Sequence, residues 1–261
     1  MKNLIYRPSE IGLWNDLGNY ASVVGSSYFL PAIQNTLIFT VAATTAIVVI
    51  ALAVTELLNN KFKGAGLMRF LIFIPWAIPA AAAGVIWRQM FQPSGWLNKV
   101  LALFGVIDGP VYFLAQDQSV LVLLAVLAQL WQQLPFCVLL LTAVYQLIPN
   151  EVLDSALVDG ARGFRLFRKI TFPYLKTALV ILVAFEALLA LNTYDLVYTF
   201  TGGVWGLISY YSFAEGFNFG NLGNGAALSV IVALITLGLV AVILFFLPPE
   251  KMYRYSFLRE E

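Results

Sequence analysis

Five apolar stretches, each long enough to cross a bilayer as a helix of ~20 residues, leave this chain little choice of fold. They are read at roughly 32–56, 68–91, 119–145, 177–199 and 224–247. Lipid offers no partner to a backbone amide or carbonyl, so each stretch satisfies its own polar groups by forming a helix. With 61% apolar and 11% charged residues, and a mean hydropathy of +0.84, a soluble globular domain is excluded. The expected fold is an all-α integral membrane protein with a core of about five transmembrane helices. The chain has no histidine and one cysteine, Cys137, within an apolar run. That removes the commonest catalytic base and any disulfide framework or thiol metal site. The first 30 residues lack the charged-then-apolar pattern of a cleavable signal peptide.

Charge gives the expected orientation. Lys61, Lys63 and Arg69 flank the first connection, Arg162, Arg165, Arg168, Lys169 and Lys176 lie in the third, and Lys251, Arg254 and Arg259 lie in the tail. Eleven of the fifteen basic residues thus fall on one side; Lys2, Arg7, Arg88 and Lys99 fall on the other. The positive-inside rule places the third connection and the C-terminus in the cytoplasm and the N-terminus outside. The expected organisation is an extracytoplasmic or interfacial segment over 1–31, a membrane domain over 32–247 with a cytoplasmic loop at 146–176, and a cytoplasmic tail over 248–261. Segment 1–31 has two readings: an amphipathic stretch along the interface, or a loosely ordered lead-in.

Pro75 and Pro79 interrupt the second span and Pro135 the third, each removing a helix hydrogen bond. These prolines fit either bent helices in a bundle or broken helices around a mid-membrane cavity. Gln129, Gln132 and Gln133 surround Trp131, and Glu186 falls near the middle of the fourth span, with Asn192, Thr193 and Asp195 further along. A carboxylate in lipid is costly and marks either a pairing with a neighbouring helix or a solute path; the amides serve equally as glue between helices.

The third connection is polar, basic and about 30 residues long. Pro149 and Asn150 stop one helix and start another, with Asn150 as cap and Glu151 at its positive end. Val152, Leu153, Ala156 and Leu157 share a helical face, Gly160 breaks the helix, and a second short helix is expected to end at Pro173. Two short helices joined at a glycine between two spans make a compact knob, and Ser155, Ala156, Gly160 and Ala161 admit a close partner surface. The plain alternative is a surface loop that carries the positive-inside charge.

Leu153-Asp154-Ser155-Ala156-Leu157-Val158-Asp159-Gly160-Ala161, followed by Phe167, Ile170, Phe172 and Pro173, resembles the "EAA" loop of ABC-importer permeases. Asp154, Ser155 and Phe172 depart from the usual Glu, Ala and Leu. Other stretches resemble the maltose-type carbohydrate importer branch and its larger-partner subclass. These are Asn19-Tyr20 with Asn35-Thr36, Ile74-Pro75-Trp76-Ala77-Ile78-Pro79 with Trp87, Gly95-Trp96-Leu97-Asn98, Trp131 with Leu134-Pro135-Phe136, and Tyr194-Asp195-Leu196-Val197 with Thr201-Gly202-Gly203. Val204 stands where a proline usually follows those glycines. Members of that subclass usually carry a further span before the Asn-Tyr pair; this sequence begins after it, in keeping with an outside N-terminus.

The resemblance implies the type I importer permease fold and a multi-pass protein of the prokaryotic cytoplasmic membrane. It implies a second homologous permease, two ATP-binding cassette subunits, an extracytoplasmic solute-binding protein and a sugar substrate, with no nucleic acid. It also implies a coupling helix docking on the ATPase through Asp154, Ser155, Ala156, Asp159, Gly160, Ala161 and Phe164. The family's sugar contacts carry over to Gln132, Gln133, Phe136, Glu186, Leu189, Ala190 and Thr193, of which several fourth-span positions are apolar. No G-x-x-x-x-G-K-[ST] loop is present, so the chain is expected to be no enzyme and to bind no cofactor, ATP and Mg being held by the partner. Three alternatives stand beside this: an ion-coupled secondary carrier using Glu186 and Asp195, an intramembrane enzyme, and an importer for a polyol or glycerol phosphate ester. The enzyme lacks histidine and paired carboxylates, and a phosphate ester calls for a basic residue that spans three and four do not hold.

Overall fold

The structure, a computed structural model, describes residues 16–59, 64–203 and 206–246. The expectations for residues 1–15 and the tail, and for Lys61, Lys63 and Val204, lie outside the described residues. The described residues fold as helices α1 (Gly18–Val24), α2 (Phe29–Asn59), α3 (Ala65–Phe73), α4 (Ala80–Met90), α5 (Trp96–Leu103), α6 (Gln118–Tyr145), α7 (Asn150–Val158), α8 (Phe164–Leu166), α9 (Phe172–Asn192), α10 (Asp195–Thr201), α11 (Ile208–Phe213) and α12 (Leu222–Phe246). Four runs, Phe29–Asn59, Ser119–Tyr145, Phe164–Asn192 and Leu222–Ile243, are long and apolar enough to cross a membrane, and a fifth exists if Gly66–Ala77 and Ala80–Met90 make one broken span.

The second expected span is therefore a broken pair. After α3 a tight 3-10 turn, Ile74–Ala77, takes up the first proline, and Pro79 precedes α4 with an extended ψ of 141°. A proline at a helix entrance sacrifices only an amide that would lack a partner anyway. Pro135, by contrast, lies inside a continuous α6.

The fourth expected span needs correction. Helix α9 stops at Asn192, not near residue 199, and α10 starts a new direction at Asp195, whose Oδ1 accepts the Leu196 amide at 2.9 Å. Leu196, Val197 and Phe200 of α10 are buried, so their apolarity serves packing against α4 rather than a continued span. Pro173 likewise does not end a short helix. The chain passes from α8 through a π-turn, Phe167–Thr171, straight into α9, with Pro173 in its first turn, where a missing amide is cheapest. Asn150 does not cap α7 either: Pro149 occupies that position with no side-chain bond, and Asn150 is already helical.

The chain packs as two compact units. Of the described residues, the first comprises 16–43, 78–129, 188–203 and 206–238. One of its cores joins Val23, Ala32, Ile208, Tyr211, Ala227, Leu228 and Val232. The crossing of α4 on α10 is another. There Gly84 is buried, and Thr199 Oγ1 donates to the Ala81 carbonyl at 2.9 Å. The absence of a side chain at Gly84 lets the two backbones approach, as small residues do between membrane helices. At the end of α10, Gly202 adopts a left-handed φ of 70°, open to glycine without strain. The Arg88 guanidinium lies so close that a Cβ on Gly202 would stand 2.6 Å from it.

Three side chains hold the irregular parts of this unit. Thr36 Oγ1 donates to the Ala32 carbonyl at 2.7 Å and accepts the Ile208 amide at 2.9 Å. Asn35 Nδ2 donates to the Gly206 carbonyl at 3.4 Å. Asn98, only 4% exposed, donates to the Gln92 and Val111 carbonyls at 3.1 and 3.0 Å and accepts the Val111 amide at 2.7 Å. Buried backbone groups of a loop must find such partners.

Of the described residues, the second unit comprises 44–59, 64–77, 130–187 and 239–246. Its buried positions include Ile47, Ala51 and Leu58 of α2, Cys137, Val138 and Leu141 of α6, and Leu175, Leu182 and Glu186 of α9. Arg69, one of the basic residues counted at the first connection, donates to the Leu58 carbonyl at 2.9 Å. It thereby satisfies one of the carbonyls left open at the C-terminal end of α2.

Candidate functional site

The knob between α6 and α9 is built by its own backbone. Ala156 is buried and anchors α7. Beyond it, the Asp159 amide donates to the Ser155 carbonyl at 3.0 Å, Gly160 to Leu157 at 3.1 Å and Ala161 to Ala156 at 2.9 Å. This closing turn requires Gly160 at φ +76° and is followed by Gly163 at φ +53°. Both values lie where a Cβ is strained.

The candidate docking residues divide between two faces. Asp154, Ser155, Asp159, Gly160 and Phe164 are exposed, whereas Ala156 and Ala161 are buried against the chain's own unit. The small side chains at the last two positions therefore serve internal packing. Large apolar groups remain uncovered beside the exposed set: Val158 is 88% and Phe164 75% exposed, with Leu157 at 41%. The Phe164, Phe167 and Phe172 rings run in series, with centroids 6.1 and 5.9 Å apart. An apolar patch rimmed by Asp154, Asp159, Arg162, Arg165 and Arg168, all exposed, has the make-up of a docking surface.

The candidate path residues are divided between the two units. Gln132, Gln133, Phe136 and Glu186 belong to the second unit, and Leu189, Ala190 and Thr193 to the first. Within the second unit, Phe136 packs between Trp76 and Phe185, with centroids 5.9 and 5.3 Å away. Gln133 is half-buried, and its amide reaches Gln132 Oε1 only at 3.5 Å. Glu186 is 1% exposed and its Oε1 accepts the Cys137 thiol at 3.1 Å. Of the two roles open to this carboxylate, pairing between helices is the one the geometry displays: α6 and α9 are joined through it. Its Oε2 has no hydrogen-bond partner among the described residues. In the first unit Ala190 is 1% exposed, Leu189 is half-buried, and the Thr193 carbonyl accepts Ser209 Oγ at 2.7 Å. No cluster of acidic or thiol groups suited to a metal occurs among the described residues.

Sequence reasoning passed over the α4–α10 crossing and the aromatic residues around α11. The glycines Gly84, Gly202 and Gly203 were the available signal for the crossing.

Fold and site together define a polytopic helical membrane protein that carries a docking knob between two of its spans. Residues 57–247 match the family described as binding-protein-dependent transport system inner membrane component. The chain belongs to that family, and is a multi-pass membrane permease of a binding-protein-dependent transport system. Over 232 residues it is 32% identical to the trehalose/maltose transport system permease protein MalF of Thermococcus litoralis, covering 87% of this chain and 78% of that one. It is also 32% identical, over 86% of this chain and 78% of the relative, to the sn-glycerol-3-phosphate transport system permease protein UgpA of Agrobacterium fabrum. Among solved structures, a chain of a bacterial ABC transporter that imports the acidic polysaccharide alginate has the same fold. Its TM-score is 0.77 at 19% identity, over 97% of this chain and 91% of that one. The expected fold class is borne out.

Proposed function

We propose that this chain is one of two permease subunits in an ATP-driven sugar importer, with its N-terminus outside and its C-terminus in the cytoplasm. It receives solute from an extracytoplasmic binding protein and couples to two ATP-hydrolysing subunits through residues 150–173. The proposed organisation is the one read from the sequence, with the segment over 1–31, the membrane domain over 32–247 and the tail over 248–261. The observation that carries the coupling is the exposed patch of Leu157, Val158 and Phe164 on a knob whose backbone turns are already closed. Apolar surface of this kind in the aqueous phase is stabilised by a partner. Asp154, Ser155, Asp159, Gly160 and Phe164 make the contact, and Ala156 and Ala161 hold the shape behind it.

Closure of the ATPases moves the knob, and the permease halves follow as rigid bodies, exposing a solute path to each side in turn. Gln132, Gln133, Phe136, Leu189, Ala190 and Thr193 are the proposed path residues, the amides suited to hydroxyls and the ring to a sugar's apolar face. Glu186 belongs to the proposed set through its neighbours rather than by direct contact. ATP and Mg stay with the partner subunit. Relatives whose names give a disaccharide support the sugar, and the absence of any basic group in the proposed path set speaks against a phosphate ester.

Co-expression with the neighbouring subunits and purification in mild detergent tests this reading. A second permease and an ATPase should remain bound to wild type, and the ATPase should be lost on Gly160→Val. Uptake that follows an ion gradient and needs no ATPase would refute it.

A further inference from the structure

Around α11 the first unit holds a cleft of about 430 Å3, within the ~300–1,000 Å3 usual for small-molecule sites. None of the path residues carried over by resemblance lines it. Four aromatic rings do: Tyr28, Tyr210, Tyr211 and Phe219. Its polar groups include the Asn35 amide and the Glu215 carboxylate. Tyr28 is 72% and Phe219 63% exposed at the mouth, while Tyr211 and Asn35 are buried. The polar groups are fixed in place. Glu215 Oε2 accepts the Asn221 and Asn224 side-chain amides, each at 3.2 Å, and the Tyr210 hydroxyl donates to the Gly203 carbonyl at 2.8 Å. Burial pushes the Tyr210 and Tyr211 phenols above their ordinary range, so both remain neutral hydroxyls.

We infer that this cleft is a separate binding subsite for a neutral sugar, one or two rings in size. The lining has flat apolar faces for the C–H face of a pyranose, and an amide and a carboxylate for its hydroxyls. Among the described residues its lining contains no lysine or arginine, so they offer nothing to a phosphate or a uronate and set a carboxylate against them. This deepens the sugar-importer reading and rests on it: the cleft supplies a selection against anionic solutes within the permease itself.

The test uses the assembled importer in proteoliposomes, with trehalose and maltose as probes and glycerol 3-phosphate as the anionic control. Phe219→Ala and Tyr28→Ala truncate exposed rings and leave the core intact. Each should raise KM for the transported disaccharide about tenfold with the maximal rate kept, the signature of lost solute binding. A second readout is maleimide labelling of Phe219→Cys, against which the native Cys137, at 0% exposure, is silent. The disaccharide should slow labelling and glycerol 3-phosphate should not. Normal KM in both variants, labelling indifferent to disaccharide, or an introduced thiol already shielded by a partner subunit without solute would each overturn the cleft alone. Wild type that takes up glycerol 3-phosphate and neither disaccharide would overturn the sugar reading itself.

Discussion

Gly84→Ala adds one methyl group where α4 crosses α10, and the structure says where that methyl goes. The new Cβ would overlap Thr199 Oγ1 and the Leu196 carbonyl oxygen and stand 3.0 Å from the Phe200 amide nitrogen. Two of these three neighbours are backbone, so a rotamer change cannot relieve the clash and the helices must part. Overpacking of this kind costs about 1–3 kcal/mol, and rigid backbone neighbours place it near the upper end. Alanine regains about 1 kcal/mol of helix propensity, leaving a net loss of about 2 kcal/mol, or a roughly thirtyfold shift in the folding equilibrium. For a chain of this size that is a fall of about 4–8 °C in Tm. Gly238→Ala is the matched control, because nothing lies within 4 Å of a Cβ there; it should melt at or above wild type. Thermal unfolding of the purified permease in one detergent, followed by tryptophan fluorescence, reads both. A Gly84→Ala protein as stable as Gly238→Ala would refute the close crossing.

Three further outcomes are expected. Asn98→Ala removes three hydrogen bonds from the segment between Gln92 and Val111; at about 1 kcal/mol each, hydrogen exchange over 104–112 should speed up by one to two orders of magnitude, and unchanged protection would refute the clasp. The native Cys137 thiol, buried and donating to Glu186, should resist maleimide in the folded permease and react fully on denaturation; fast labelling of the native protein would show that the α6–α9 contact opens. Glu186→Ala, which deletes the acceptor and leaves a cavity, should cost about 2–4 kcal/mol in stability, and a melt equal to wild type would mean that the carboxylate holds nothing together.

Hydropathy located the continuous spans well. The readings 32–56, 119–145 and 224–247 lie close to the observed Phe29–Asn59, Gln118–Tyr145 and Leu222–Phe246, because a long apolar run has one stable form in lipid. It failed at Thr193-Tyr194, where apolar residues resume beyond Asp195 but the helix has already stopped at Asn192. The local sign of the break is the polar stretch Asn192–Asp195, and α10 then packs on α4, a contact between residues more than a hundred apart in the chain. The prolines were ambiguous in sequence: Pro75 and Pro79 end up at a break and Pro135 inside a helix.

The short motifs carried more than their resemblance alone explained. Asn35 and Thr36 hold the stretch Gly206–Ile208, and Asn98 clasps the turn that Gly95 opens. Thr201-Gly202 ends α10 in the left-handed turn under Arg88. At the candidate site, the exposed and buried faces of Asp154–Ala161 were not separable in advance. Ala156 and Gly160 are both small, and only the fold decides which one faces inward.

The π-turn at Phe167–Thr171 has a consequence for inheritance. A π-turn is an α-helix holding one extra residue, and each residue of an α-helix turns the chain by about 100°. Phe164 to Asn192 is one unbroken run, so the angular setting of Phe164 around the axis is locked to that of every side chain above it. Deleting a single residue from 167–171 would restore a plain α-helix and leave Phe164 near its bearing, because the wide turn already absorbs the extra residue. The turn is therefore the one place in this run where a residue can be lost cheaply, while a lone deletion within Phe172–Asn192 would swing Phe164 by about 100° against the side chains beyond it.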